Sequence, residues 1–167
     1  MENRRLTLSL DNVRLVKRNF SGKSEEMNER GERTCLIVID AELANSKGFN
    51  SVEDMVAALE ADEWKVGWFK RENEDGEREA YLPVKAVYGE YKAPNIYIRT
   101  GDTSTLLTAE TVGSLDYAEI EKTDVILLRH FWQYNGRTGY NNYIQSMEVT
   151  VIEDDITARN KKYEIEE

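Results

Sequence analysis

Polar and apolar side chains alternate from the start of the chain. Leu6, Leu8 and Leu10 share one face of an extended segment, and Val13 and Leu15 resume it after a bend at Asp11-Asn12, which predicts a first long strand over residues 4–16. Residues 19–32 hold turn formers and opposed charges without a period, so they read as a flexible connection into an apolar strand over 33–40. Ser51 stands as an N-cap before Glu53-Asp54, and Val52, Met55, Val56 and Leu59 follow at helical spacing, predicting a helix over 51–61. Strand patterns return at 64–70 and 80–88, joined by a charged loop around Asp75-Gly76. Pro94 then breaks the chain before a strand at 96–99.

Residues 108–120 could pack Val112, Leu115 and Tyr117 as one face of a short, imperfect helix, weakened by Gly113. Two long strands close the pattern, 124–132 and 140–152, around Asn135-Gly136, a strong signal for a tight hairpin. Alternation places Tyr143, Gln145, Met147, Val149 and Val151 inward on the last strand, with Ile144, Ser146, Glu148 and Thr150 outward. The order predicts a mainly β fold: an OB-fold-like five-stranded barrel with added strands, one or two short helices, and in its usual form a helix between the third and fourth strands. An immunoglobulin-like sandwich competes, but two helix candidates tell against it.

The 167 residues suit one domain, read as 1–155, followed by a mobile, charged C-terminal tail over 156–167. Nine Tyr and three Trp are more large side chains than a disordered chain carries. A single cysteine excludes an intramolecular disulfide and a Cys-based metal site, and suits a reducing cytoplasm. No signal peptide or membrane-length apolar run is legible, so a soluble protein of the bacterial cytoplasm is expected.

Candidate chemistry is sparse. The one histidine, His130, lies mid-strand with no second histidine and no nucleophile elbow nearby. Cys35 lies within an apolar run, where a thiol packs rather than reacts. The carboxylates of 72–79 and 153–155 read as solvated loops, and no glycine-rich phosphate loop occurs. No enzyme, cofactor or metal is expected.

Aromatic and basic residues, by contrast, interleave four times: Trp68 with Lys70, Tyr81 with Lys85, Tyr97 with Arg99, and Arg129 with Trp132, Tyr134 and Arg137. A surface for single-stranded nucleic acid has this make-up, since aromatic faces stack bases at about 1–3 kcal/mol each while cations follow the phosphates. Strands favour aromatics for packing too, so about half of these belong to the core. Trp132, Tyr134 and Arg137 lead, because a hairpin tip gains little by burying them. Net charge is −10, but residues 1–23 carry six basic against two acidic side chains, whereas residues 24–80 carry seven against sixteen.

The stretch LLTAETVGSLDYAEIEKTDVILLRHFWQYNGRTGYNNYIQSMEVTV, preceded by AYLPVKAVYGEYKAPNIYIRT and by NFSG and NERGERTCLIVID, resembles phage- and prophage-encoded single-stranded-DNA-binding proteins. The resemblance covers most of residues 10–152. It implies a non-catalytic OB-fold protein that coats single-stranded DNA in phage replication or recombination, beside a strand-annealing recombinase or replication proteins recruited through an acidic tail. An exposed strand edge would also serve a homodimer. The alternative is an acidic protein-interaction module or DNA mimic that inhibits a host nucleic-acid enzyme, supported by the carboxylates of residues 24–80.

Overall fold

The computed structural model describes residues 6–23, 32–89 and 93–152. The first strand is bent, forming β1 (Thr7–Leu10) and β2 (Arg14–Asn19). At the bend Asn12 takes φ +52°, its N–H donates to Asp124 Oδ1 at 2.9 Å, and Val13 N–H donates to Thr123 O at 2.9 Å. β3 (Thr34–Ile39) leads into α1 (Ala41–Ser46), capped by Asp40, and α2 (Val52–Ala61), capped by Ser51 Oγ accepting from Asp54 N–H. β4 (Gly67–Glu72) and β5 (Arg78–Lys85) form a hairpin, as do β6 (Asn95–Thr100) and β7 (Thr103–Leu107). A 3-10 turn at Val112–Asp116 precedes the longest pair, β8 (Ile120–Tyr134) and β9 (Arg137–Val151).

Strands are ordered β1-β8-β9-β5-β3-β2, and the two ends of that path are the halves of one bent strand, so the sheet curls back on itself. Counting β1 and β2 as one, the five strands are that segment, β3, β5, β8 and β9, with β5 and β9 meeting in parallel at Lys85 and Tyr143. This is the order of an OB barrel; β4, β6 and β7 are additions. The helices lie between the second and third of the five strands. The place between the third and fourth holds the β6–β7 hairpin and the 3-10 turn.

That turn departs from the imperfect helix expected over 108–120. Val112 and Leu115 are three residues apart, the spacing that a 3-10 turn eclipses, and both are fully buried. Burying each is worth about 1.5–3 kcal/mol, more than a few further residues of helix could add around Gly113. The turn is tied to the end of β2: Asp116 accepts from the N–H groups of Phe20 and Ser21, and Arg18 donates to the carbonyls of Leu115 and Ala118 at 2.7 and 2.8 Å.

The inward face predicted for β9 is correct only beyond Gln145. Ile126 pairs with Ser146 but Leu127 pairs with Ile144, so Gln145 is an extra residue in a β-bulge and is exposed. On the turn side of it Asn142 and Ile144 point inward and Tyr143 outward, while Met147, Val149 and Val151 keep the predicted phase. The hydrophobic pattern gives no sign of α1 or β7. α1 has six residues with only Leu43 and Ala44 buried, and β7 is polar except at its end. The C-terminal tail, and residues 24–31 of the first connection, lie outside the described residues.

Candidate nucleic-acid interface

The bulge decides which hairpin residues share a face. Toward the turn, Leu128 pairs with Tyr143, His130 with Asn141, Trp132 with Gly139 and Tyr134 with Arg137, all on the outer face, opposite the buried Leu127 and Ile144. Asn135 and Gly136 turn the chain at φ +49° and +74°, as a two-residue hairpin turn requires. The same row crosses to β5 through Lys85, opposite Tyr143, and runs back along β5 through Pro83 to Tyr81. Tyr81 packs on Phe69 of β4, ring centroids 4.9 Å apart. The outer surface therefore carries one strip, from Phe69 and Tyr81 past Lys85, Tyr143 and His130 to Trp132, Tyr134 and Arg137.

Two aromatics of the strip lie over glycines on the neighbouring strand. A Cβ on Gly139 would come within 2.7 Å of the Trp132 ring, and one on Gly67 within 2.3 Å of Tyr81 Cζ. Each ring thus rests on a strand where a side chain is missing and is half-buried. Tyr134 at the tip is 72% exposed. His130 stacks on Tyr143 at 4.3 Å with planes 8° apart. Beside Tyr81 a groove of about 690 Å³ opens toward β2, lined by Arg14, Lys17, Phe69, Lys70, Arg71 and Tyr81 among others.

The base of the hairpin is braced from inside. Arg129, expected at the surface with the phosphate-tracking cations, is only 7% exposed. β8 alternates, and Arg129 falls on the inward phase with Leu127. Its guanidinium donates to Asp62 O at the end of α2, comes within 4.0 Å of Glu63, and lies 3.9 Å from the centroid of the Tyr140 ring. It is a support for the hairpin and not a surface cation. Asn142, also buried, accepts from Lys65 N–H at 3.1 Å and donates to Lys65 O and Pro83 O at 2.8 and 3.0 Å.

Four other candidates lie off the strip. Trp68 pairs with Ala80, on the face opposite Tyr81, and packs against the core with Arg78 over its ring at 5.2 Å, although part of it also lines the groove. Tyr97 and Arg99 sit on β6 beside the far half of β9, where Tyr97 pairs with Glu148 and Arg99 forms an ion pair with it at 3.6 Å. Lys70 borders the groove and is exposed.

A family model described as "Putative phage ssDNA-binding domain" matches residues 1–166. The chain belongs to this family. No curated protein matches in sequence. Among solved structures, the single-stranded DNA-binding protein from bacteriophage Enc34 is similar at a TM-score of 0.54, with 7% identity, over 89% of this chain and 82% of that one. The same protein in complex with ssDNA gives 0.55, 7%, 89% and 88%. At that identity the likeness is one of fold, and it agrees with the OB-like strand order.

For this member of the phage ssDNA-binding family, the strip includes three residues that the sequence pattern does not place among the binding candidates. Phe69 stands within the run Trp68–Arg71, and Tyr143 is expected to face inward; pairing register places both on the outer strip. His130, the lone histidine, belongs to the aromatic row. A clearer signal is present: residues 125–147 contain no Asp or Glu, in a chain with 32 of them. Cys35, packed in the core, has its thiol pushed up to about 12 by burial. Among the described residues no group of His, Cys, Asp or Glu gathers as metal ligands would, and no helix is long and apolar enough to cross a membrane.

Proposed function

We propose that the protein binds single-stranded DNA along the outer strip, with bases stacking on Trp132, Tyr134 and Tyr81 and phosphates following Arg137, Lys85 and the cations of the adjoining groove. The observation that carries this reading is the carboxylate-free hairpin arm, whose outer face joins three aromatic side chains to Arg137 on a chain of net charge −10. Stacking tolerates any base, because every base has a π-face, and the strip offers few groups aimed at base edges; little sequence preference follows. Family membership supports the same ligand. In this reading the protein coats strands exposed in phage replication or recombination and performs no chemistry on them. Residues 156–167 lie outside the binding domain and recruit partner proteins.

The test is a titration of intrinsic tryptophan fluorescence with oligo-dT of about 30 nucleotides, enough for at least one OB site, and with duplex of equal length. Quenching by the single strand alone, weakening with salt at a log–log slope of about −0.7 per phosphate neutralised, is the expected result. Silence from both forms at low salt rejects the reading and turns attention to the acidic surface as a site for proteins.

A further inference from the structure

Two cations of the proposed binding surface are already engaged by carboxylates of the same chain. Arg14 Nη2 donates to both oxygens of Glu79, at 3.1 and 3.0 Å, and Lys85 Nζ lies 3.1 Å from Glu32 Oε2. Glu79 is two residues before Tyr81 on β5, so it shares the outer face, and Arg14 shares that face through the cross-strand row of Tyr81, Val38 and Arg14. Of this pair Glu79 is the more fixed, its side chain 18% exposed against 58% for Arg14. By contrast, Arg137 and Lys70 form no ion pair among the described residues.

A carboxylate that offers two oxygens to a guanidinium presents the acceptor geometry of a phosphate. We propose that Glu79 and Glu32 act as internal competitors for the phosphate backbone, holding Arg14 and Lys85 where phosphates engage and releasing them when a strand binds. The inference rests on the binding reading above and adds to it a control on affinity.

Two physical consequences follow. Exposed ion pairs are worth about 0–1 kcal/mol, so the exchange is easy, yet each displaced carboxylate stays close to the incoming phosphate and repels it. The ion count also changes. A phosphate that meets a free cation sheds its condensed counterion, which gives binding its salt dependence. A phosphate that takes a cation from a carboxylate sheds one counterion while the freed carboxylate gathers another. Phosphates held by Arg14 and Lys85 therefore orient the strand while adding little to the salt slope.

The experiment compares the full-length protein with Glu79→Gln, Glu32→Gln and Glu72→Gln, titrated with oligo-dT over a salt series after equal melting temperatures have been checked. Glu72 borders the same groove, is exposed, and forms no ion pair among the described residues, so its variant makes the same charge change without freeing a cation. Glu79→Gln and Glu32→Gln are each expected to bind about two- to fivefold tighter at low salt. Their log–log salt slopes should steepen by about 0.7, the release of one more counterion from the strand, so the tighter binding fades as salt rises. Glu72→Gln should tighten binding less and keep the wild-type slope. Tightening no larger than that of Glu72→Gln, or tightening without a steeper slope, overturns the proposal. Should Glu79→Gln fail to fold, Glu32→Gln decides by the same criteria. A wild type that binds no strand at low salt rejects the binding reading itself, and this inference with it.

Discussion

Both ends of the β8–β9 ladder expose one face to solvent, and they carry opposite chemistry. Toward the turn that face holds His130, Trp132, Tyr134, Arg137 and Tyr143, with no carboxylate. Toward the far end it holds Lys122, Asp124 and Glu148, and across β6 Tyr97 and Arg99. There the charges neutralise one another, with Lys122 3.5 Å from Asp124 and Arg99 3.6 Å from Glu148. An aromatic beside a cation occurs in both places, so that pairing alone does not mark an interface. What separates them is whether the ladder itself carries carboxylates on that face: none toward the turn, Asp124 and Glu148 at the far end.

Replacing both Trp132 and Tyr134 by Ala should break the contrast most severely, removing about 1–3 kcal/mol of strand affinity for each base that loses its platform. Tyr97→Ala should leave affinity unchanged in the same fluorescence or anisotropy titration. A loss at Tyr97 equal to that at Trp132 would erase the distinction between the two ends.

Next in size is the brace. Asn142→Ala leaves Lys65 N–H and two carbonyls without their partner and should lower stability by about 2 kcal/mol, read as a fall in melting temperature. Gly139→Val, by contrast, should displace the Trp132 indole and weaken strand binding more than it lowers the melting temperature, because the strained contact lies on the exposed arm. Arg137→Gln should reduce the salt slope by about 0.7, whereas Arg99→Gln should not change it.

The smallest effect concerns Cys35. Its folded pKa is raised to about 12 from an ordinary 9.0, so the folded state favours the neutral thiol. The stability this confers is complete below pH 9 and declines as pH rises from there toward 12, where the unfolded chain has ionised and the folded one follows. At a pH of about 8, below that window, a thiol reagent should label Cys35 only at the rate of unfolding.

Much of the fold is legible in the sequence because its signals are local. Ser51 caps the helix where it is expected, Asn135-Gly136 forms the turn, and Asp11-Asn12 bends the first strand. What sequence does not reveal depends on pairing between distant strands. The bulge at Gln145 has no composition of its own, and it reverses the phase of Asn142, Tyr143 and Ile144 relative to the rest of β9. Arg129 looks like a surface cation because it stands among aromatics, yet its place on the inward phase, and the Asp62 carbonyl and Tyr140 ring awaiting it, are tertiary facts. Likewise Tyr81 and Lys85 are joined to the hairpin by the parallel pairing of Lys85 with Tyr143 and by the hydrogen bond from Asn142 to Pro83 O, both of them contacts between distant strands.

The bent first strand has a mechanical consequence. β1 is bonded to β8 at one end of the sheet and β2 to β3 at the other, and only the bend at residues 11–13 separates them. Neither end can peel away without pulling on the other, so amide hydrogens in β1 and β2 should exchange with solvent only when the whole barrel opens, while those of β7 exchange sooner. A strand tugging on the hairpin arm would then pull on a barrel whose first and last strands in the path are tied together by one bent segment.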